Sequence, residues 1–374
     1  MKNNVFGLIY TGEGNPKMRE LAESRAVAAV PFGGRYRCVD FILSSLVHTG
    51  VTSVGIIAQK NYHSLMDHLG SGKEWDLDRK REGLFILPPF MTKESTGVFR
   101  GAVDALVSCM GYVRRAPEQY VLLSGSHTVF NTSFDDMIDQ HIRTGADITI
   151  MYNETIGFDI EDQNKDLRLI MDESGRVTEM ELDPYRPQSS CCSCEVYLMD
   201  KKLLEYLVEE AYSHGTYHFT RDILLRKVNS LKIYGWKYNG FVARLDSVKR
   251  YFEYSMQLLD PEIREELFSQ KTPIYTKVKD EVPARYYSNA RVVNSMVADG
   301  CEIDGYVENS ILFRGVKVGK GAVVKNSILL QATKLGEGVQ LDHIISDKNT
   351  RFNDGRVLTG YSGYPLVIKK NSMI

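Results

Sequence analysis

The sequence predicts an α/β domain built on an open sheet, followed by a left-handed parallel β-helix. Three observations carry this. Over residues 1 to about 260, apolar runs of about five to eight residues alternate with amphipathic stretches of about ten to fifteen, the pattern of strands joined by helices. After about residue 285 aliphatic residues recur six apart, with Gly in the turns. Between the two patterns, Pro261 to Tyr287 holds three prolines and many charges. The expected organisation is a sheet domain over residues 1–260, a linker over 261–287 and a β-helix over 288–374.

In chain order, VFGLIY is a short buried strand that breaks at the Gly-rich turn after Tyr10. FILSSLVHTG has apolar residues at helical spacing and closes on Gly50, a fitting residue just past a helix end. VTSVGIIAQ reads as a strand, GAVDALVSCMGYV as a helix, Tyr120 to Ser124 as a strand, SFDDMIDQHIR as a helix and ADITIMYN as a strand. The alternation implies a parallel sheet covered on both faces, whose ligands sit at the carboxyl ends of its strands. The loops after Tyr10, Ile57 and Ser124 are therefore the places to look. Just beyond Ser124, where a metal-holding carboxylate is expected, stands Ser126.

In the second pattern Asn-Ser pairs begin at Asn294, Asn309 and Asn326. Val318, Val324 and Leu330 are spaced by six, as are Leu335 and Leu341. Each hexad then forms one side of a triangular coil with its aliphatic residue inside; an irregular antiparallel sheet is the competing arrangement.

Composition narrows the function classes. With 46 Lys and Arg against 48 Asp and Glu, the net charge of −2 offers no basic field for a phosphate backbone, so nucleic acid is not an expected partner. The amino-terminal apolar run is too short for a signal or membrane segment, which points to the cytoplasm and away from membranes. Six cysteines suit a reducing compartment. CCSC, with Cys191, Cys192 and Cys194, admits soft-metal ligation, but no second Cys or His pair accompanies it, and the following EVYLMD reads as a strand that uses small thiols for packing.

Several strings match one family in order along the chain. SRAVAAVPFGGRYRCVDFILSS (Ser24 to Ser45), FRGAVDAL, LLSGSHTVF, YFEYSMQLL, PIYTK and IISDKN resemble the corresponding strings of ADP-glucose pyrophosphorylase, the glucose-1-phosphate adenylyltransferase family. The resemblance implies a nucleotidyltransferase-like, Rossmann-like mixed sheet domain and a hexapeptide β-helix. It also implies a reaction in which glucose 1-phosphate attacks the α-phosphorus of ATP. Charge accumulates on oxygens there, so the chemistry rests on Mg²⁺ and basic side chains.

The departures from the family strings fall at the phosphate and metal positions. The resemblance places one metal carboxylate at Ser126 and, counting back without gaps from YFEYSMQLL, the other at Arg244; a one-residue slip would recruit Asp246 instead. A hydroxyl is a weak ligand for a hard cation. A guanidinium repels one: unit charges about 4 Å apart cost roughly 4 kcal/mol at an effective dielectric near 20. The nucleotide loop is GEGNPK: Gly12, Gly14 and Lys17 keep parts of the pattern, while Glu13 and Asn15 replace glycines whose role is to let backbone N–H groups approach phosphates. Asp183 stands where the family's sugar-phosphate string has Lys, and Val27 replaces another Lys. Gly101 and Asp104 fall in the nucleotide-side string FRGAVDAL, where Asp104 is read equally as a solvated helix residue. His127 reads as a strand-end hydrogen-bonding residue and His343 as a packing residue. Arg25, Arg35 and Arg37 form a basic cluster for an anionic effector, a partner's acidic face or solvent.

An intact scaffold around an altered phosphate site resembles the GlgD-type, non-catalytic subunits of the family. That resemblance implies no catalytic residue and no cofactor, a catalytic subunit as partner in a heterotetramer, and regulation by a phosphorylated metabolite. The alternatives are an active transferase whose Mg²⁺ is held by Asp246 or by triphosphate oxygens, and a stand-alone sensor of sugar phosphates.

Overall fold

A computed structural model describes residues 4–12, 16–59, 61–89, 99–156 and 166–374. Two compact units form: one from Met1–Glu13, Phe41–Arg244 and Ser269–Tyr275, the other from Gly14–Asp40, Leu245–Phe268 and Thr276–Ile374.

The first unit is built on a nine-stranded sheet. Its strands are β1 (Val5–Tyr10), β2 (Ser53–Ile57), β3 (Gly83–Leu87), β4 (Tyr120–Ser124), β5 (Ile148–Asn153), β6 (Leu167–Met171), β7 (Val177–Leu182), β8 (Cys192–Asp200) and β9 (Ile233–Lys237). β1 lies between β2 and β4, parallel to both, with Tyr10 opposite Ile57 and Ile9 opposite Ser124. The loops singled out from the sequence therefore leave the sheet side by side. The sheet is mixed rather than wholly parallel, because β8 pairs antiparallel with both β4 and β5. Nothing in an apolar run reports strand direction, so the pattern of EVYLMD is silent on this point. Phe6, Leu8, Val121, Leu123, Ile148, Ile150, Tyr197 and Met199 from the strands pack with Leu106, Val113, Leu204 and Val208 from helices in one core. The helix expected over GAVDALVSCMGYV is two pieces, Ala102–Ser108 and Met110–Arg115, joined at Cys109.

In the second unit three parallel ladders stack as the sides of a left-handed β-helix. Tyr306 faces Val323, Val323 faces Gln340 and Gln340 faces Val357, a coil of 17 residues (306, 323, 340, 357). The core takes Val318, Val324, Leu335 and Leu341 as the period predicts, but between them Leu329 rather than Leu330. A coil of 17 is one short of three hexads, so one side loses a residue and the spacing slips there. The stretch read as a linker opens with the helix Pro261–Leu267, started by a proline and capped by Asp260, whose side chain accepts from the Glu262 amide. Its end, Arg285–Tyr286, is already the first β-helix strand. No described helix is long and apolar enough to cross a membrane.

Candidate functional site

At the carboxyl ends of β1, β2 and β4, Thr11 donates its amide (3.2 Å) and its hydroxyl (3.0 Å) to the Ile57 carbonyl, extending the ladder one step beyond the strand. Gly12 follows with φ +74, the left-handed turn that glycine suits. Glu13, Gly14 and Asn15 lie outside the described residues. Lys17 lies in the one-turn helix Pro16–Met18 of the second unit.

Beyond β4, Ser126 is buried at 1% exposure. Thr128–Val129 then pairs antiparallel with Ala243–Arg244, Arg244 opposite Thr128. The ladder thus sets Arg244 opposite Thr128, two residues after Ser126, but the Arg244 side chain does not present an open cation. It is buried, with Nη1 2.5 Å from Asp166 Oδ1 and Nη2 donating to the Ser193 carbonyl. Asp166 also faces Arg168 at 3.6 Å, and Arg168 donates to the Ser190 carbonyl at 3.0 Å. Asp183 joins the same neighbourhood through its backbone, its amide donating to the Asp166 carbonyl at 2.9 Å, while its side chain is exposed. The partner of Arg244 was not legible in the sequence: Asp166 is 78 residues away and belongs to no recognisable string.

The donor set does not fit a magnesium ion. One position offers a hydroxyl and the other a guanidinium already committed to a carboxylate. Asp246, the alternative ligand, is buried and paired with Arg250 at 3.0 Å. Among the described residues no group of three or more His, Cys, Asp and Glu is arranged to hold a metal.

Gly101 and Asp104 have structural work here. A Cβ on Gly101 would strike the Tyr217 carbonyl oxygen. Asp104 accepts from the Arg100 amide (3.1 Å) and Nε (3.2 Å), while the Arg100 guanidinium lies 3.7 Å from the Tyr217 ring centroid. All six thiols are free. Cys192 and Cys194 are buried in β8, and burial raises the Cys194 pKa and holds its thiol protonated.

In the second unit the arginine cluster divides. Pro31–Phe32 and Tyr36–Arg37 form a hairpin whose turn places Gly33 and Gly34 at φ +60 and +84. Arg25, 3% exposed, donates to both oxygens of Asp347 at 2.8 and 2.7 Å, leaving its buried Nη1 without a hydrogen bond. Lys348 follows Asp347, and burial first, then the charges of Arg37, Arg25 and Lys279, push its pKa down to about 7 against the opposing pull of Asp347. Arg35 instead lies over the Tyr36 ring at 5.6 Å and helps lower the Arg314 pKa, which burial lowers most. Arg37, Arg25 and Lys279 thus all disfavour the charged form of Lys348, and Arg37 also donates its amide to Asp40 at 3.0 Å; only the string IISDKN hinted at the lysine. His343 sits 2.7 Å from Asp342 and packs its ring on Phe252 at 6.0 Å.

Residues 8–237 match the nucleotidyl transferase family, and residues 281–361 match the GlmU-like C-terminal hexapeptide family. The chain is 38% identical to the glycogen biosynthesis protein GlgD of Bacillus subtilis (strain 168) over 98% of its own length and 96% of the relative's. It is 39% identical to GlgD of Geobacillus stearothermophilus over 87% of its length and 84% of that protein's. It is also 36% identical to the glucose-1-phosphate adenylyltransferase of Pseudothermotoga lettingae over 86% of its length and 76% of that protein's. With the sheet, the coil and the collinear strings in agreement, the chain belongs to the nucleotidyl transferase family, in the group of the GlgD proteins and glucose-1-phosphate adenylyltransferases.

Proposed function

We propose that this chain works in glycogen biosynthesis as the regulatory, catalytically impaired subunit of a hetero-oligomeric glucose-1-phosphate adenylyltransferase. The names of its relatives support the pathway. The observation that carries the impairment is the buried Arg244–Asp166 pair together with the buried hydroxyl of Ser126, which offer no free carboxylate for a divalent ion where the resemblance implies one. A phosphorylated metabolite is the proposed effector, received by Arg25, Arg37 and Lys348, where an anion relieves the repulsion among the cations.

Purified chain is assayed for ADP-glucose formation alone and mixed with a catalytic homologue. Little or no product from the chain alone, and a changed rate or effector response in the mixture, is the expected result. Robust Mg²⁺-dependent turnover by the isolated chain, abolished by Ser126→Ala, would refute the proposal. An unchanged catalytic subunit with no complex on size exclusion would favour a stand-alone sensor instead.

A further inference from the structure

Neither Ser126 nor Arg244 offers a carboxylate, yet one stands at the carboxyl end of β4. Glu195 lies in β8 opposite Gly125, whose amide donates to the Glu195 carbonyl at 3.1 Å. It sits where the pairing with β5 breaks: Ser193 faces Tyr152 and Tyr197 faces Ile150, so four steps on one strand match two on the other. Its φ is +58, a conformation a residue with a side chain seldom adopts unless its surroundings hold it there. The amide of Glu195 is held by the Ser193 hydroxyl at 3.1 Å.

The consequence of this bulge is where the side chain goes. Oε2 of Glu195 is 3.0 Å from the point a Cβ on Gly125 would occupy and 3.6 Å from Nε2 of His127. The two side chains are 32% and 24% exposed, so the carboxylate faces the opening rather than the core. Among the described residues His127 is the side chain facing this carboxylate, through Nε2. A carboxylate therefore stands beside Gly125, at the strand end where open α/β sheets receive their ligands.

We propose that Glu195 is a selectivity residue whose charge keeps phosphorylated ligands out of this crevice. The site is closed to nucleotides and sugar phosphates by an anion that is present as well as by ligands that are absent. Repulsion between a carboxylate and a phosphate in a partly enclosed site acts directly on affinity, and salt weakens it. The inference rests on reading the chain as the impaired subunit in that it takes the crevice for the former substrate site.

The test titrates the full chain, without any catalytic subunit, with glucose 1-phosphate and separately with ATP, by calorimetry. Glu195→Gln keeps the shape and removes the charge; Glu195→Gly removes both and suits the positive φ, so it unfolds at the same temperature as the parent or higher. Both variants are expected to bind at least one ligand about tenfold more tightly than the parent, with the gain shrinking in high salt. The proposal is overturned if neither variant gains affinity, or if only the glycine variant does, since that marks a steric plug. Failure of the impaired-subunit reading has a separate sign: turnover by the unsubstituted chain.

Discussion

Arg244 and Asp166 show how a buried charge organises its surroundings. A guanidinium at 1% exposure has to be neutralised, and Asp166 does this while also facing Arg168. Removing one member of such a pair strands the other, at a cost of about 3–5 kcal/mol. Asp166→Asn removes the carboxylate that faces two guanidiniums and should lower the urea midpoint more than Arg244→Met, which leaves a carboxylate that Arg168 still faces. Arg244→Asp, the change that puts a carboxylate where the resemblance implies one, sets it against Asp166 and should destabilise more than Arg244→Met. Equal midpoints for these variants and the parent would show that the pair carries no such load.

Lys348 makes a pH prediction. Its folded pKa is about 7 against an ordinary 10.5, so between these values the unfolded chain binds more protons than the folded one. Stability should therefore rise with pH across that window, the penalty being fully present below about 7 and relieved by about 10.5. Thermal unfolding of the parent and of Lys348→Met over this range checks the sign, with the rise missing in the variant. A bound phosphate pulls the same pKa upward, so its binding should take up a proton above pH 7 and weaken as pH increases. Calorimetry in buffers of different ionisation enthalpy reads that proton directly.

At the scale of elements, the corners of the β-helix explain the Asn-Ser pairs. Asn294, Asn309 and Asn326 sit at φ +40, +44 and +43, a region asparagine tolerates better than most residues. Their amides also link coils: Asn294 Nδ2 donates to Asn309 Oδ1 at 2.8 Å, and Asn326 Nδ2 to Asp342 Oδ1 at 2.9 Å. Asn309→Ala loses the bond and keeps the strained corner, and should cost about 1–3 kcal/mol in chemical denaturation. Gly101 makes the matching point in the sheet unit. Gly101→Ala forces apart the start of helix Ala102–Ser108 and the Tyr217 carbonyl, which also accepts from the Val103 amide at 3.0 Å. A loss of about 1–3 kcal/mol is expected; an unaltered Tm would return Gly101 to the ligand-binding role.

For the whole molecule, the proposed role demands a fold that is kept while the chemistry lapses, and each unit has its own cluster of buried apolar residues. If a catalytic subunit binds the folded chain, it should raise the Tm of the chain by an amount that grows with the logarithm of its concentration, as any partner selective for the native state does. Differential scanning at several mixing ratios tests this independently of activity.

Much was legible in the residues. Strand and helix periods, the glycine turns and the six-residue repeat are local, so the two architectures could be read along the chain, while the reading of Ser126 as a lost carboxylate came from the family resemblance. The direction of β8, the Leu329 slip, the partner of Arg244, the turning of Glu195 toward Gly125 and the lysine beside Arg25 and Arg37 could not. Each depends on which distant segments meet, and neither apolar periodicity nor charge count encodes that meeting. Whether a charged side chain repels a ligand, receives one or is neutralised inside the protein is decided by the neighbours folding brings to it, because burial and nearby charge set its energy.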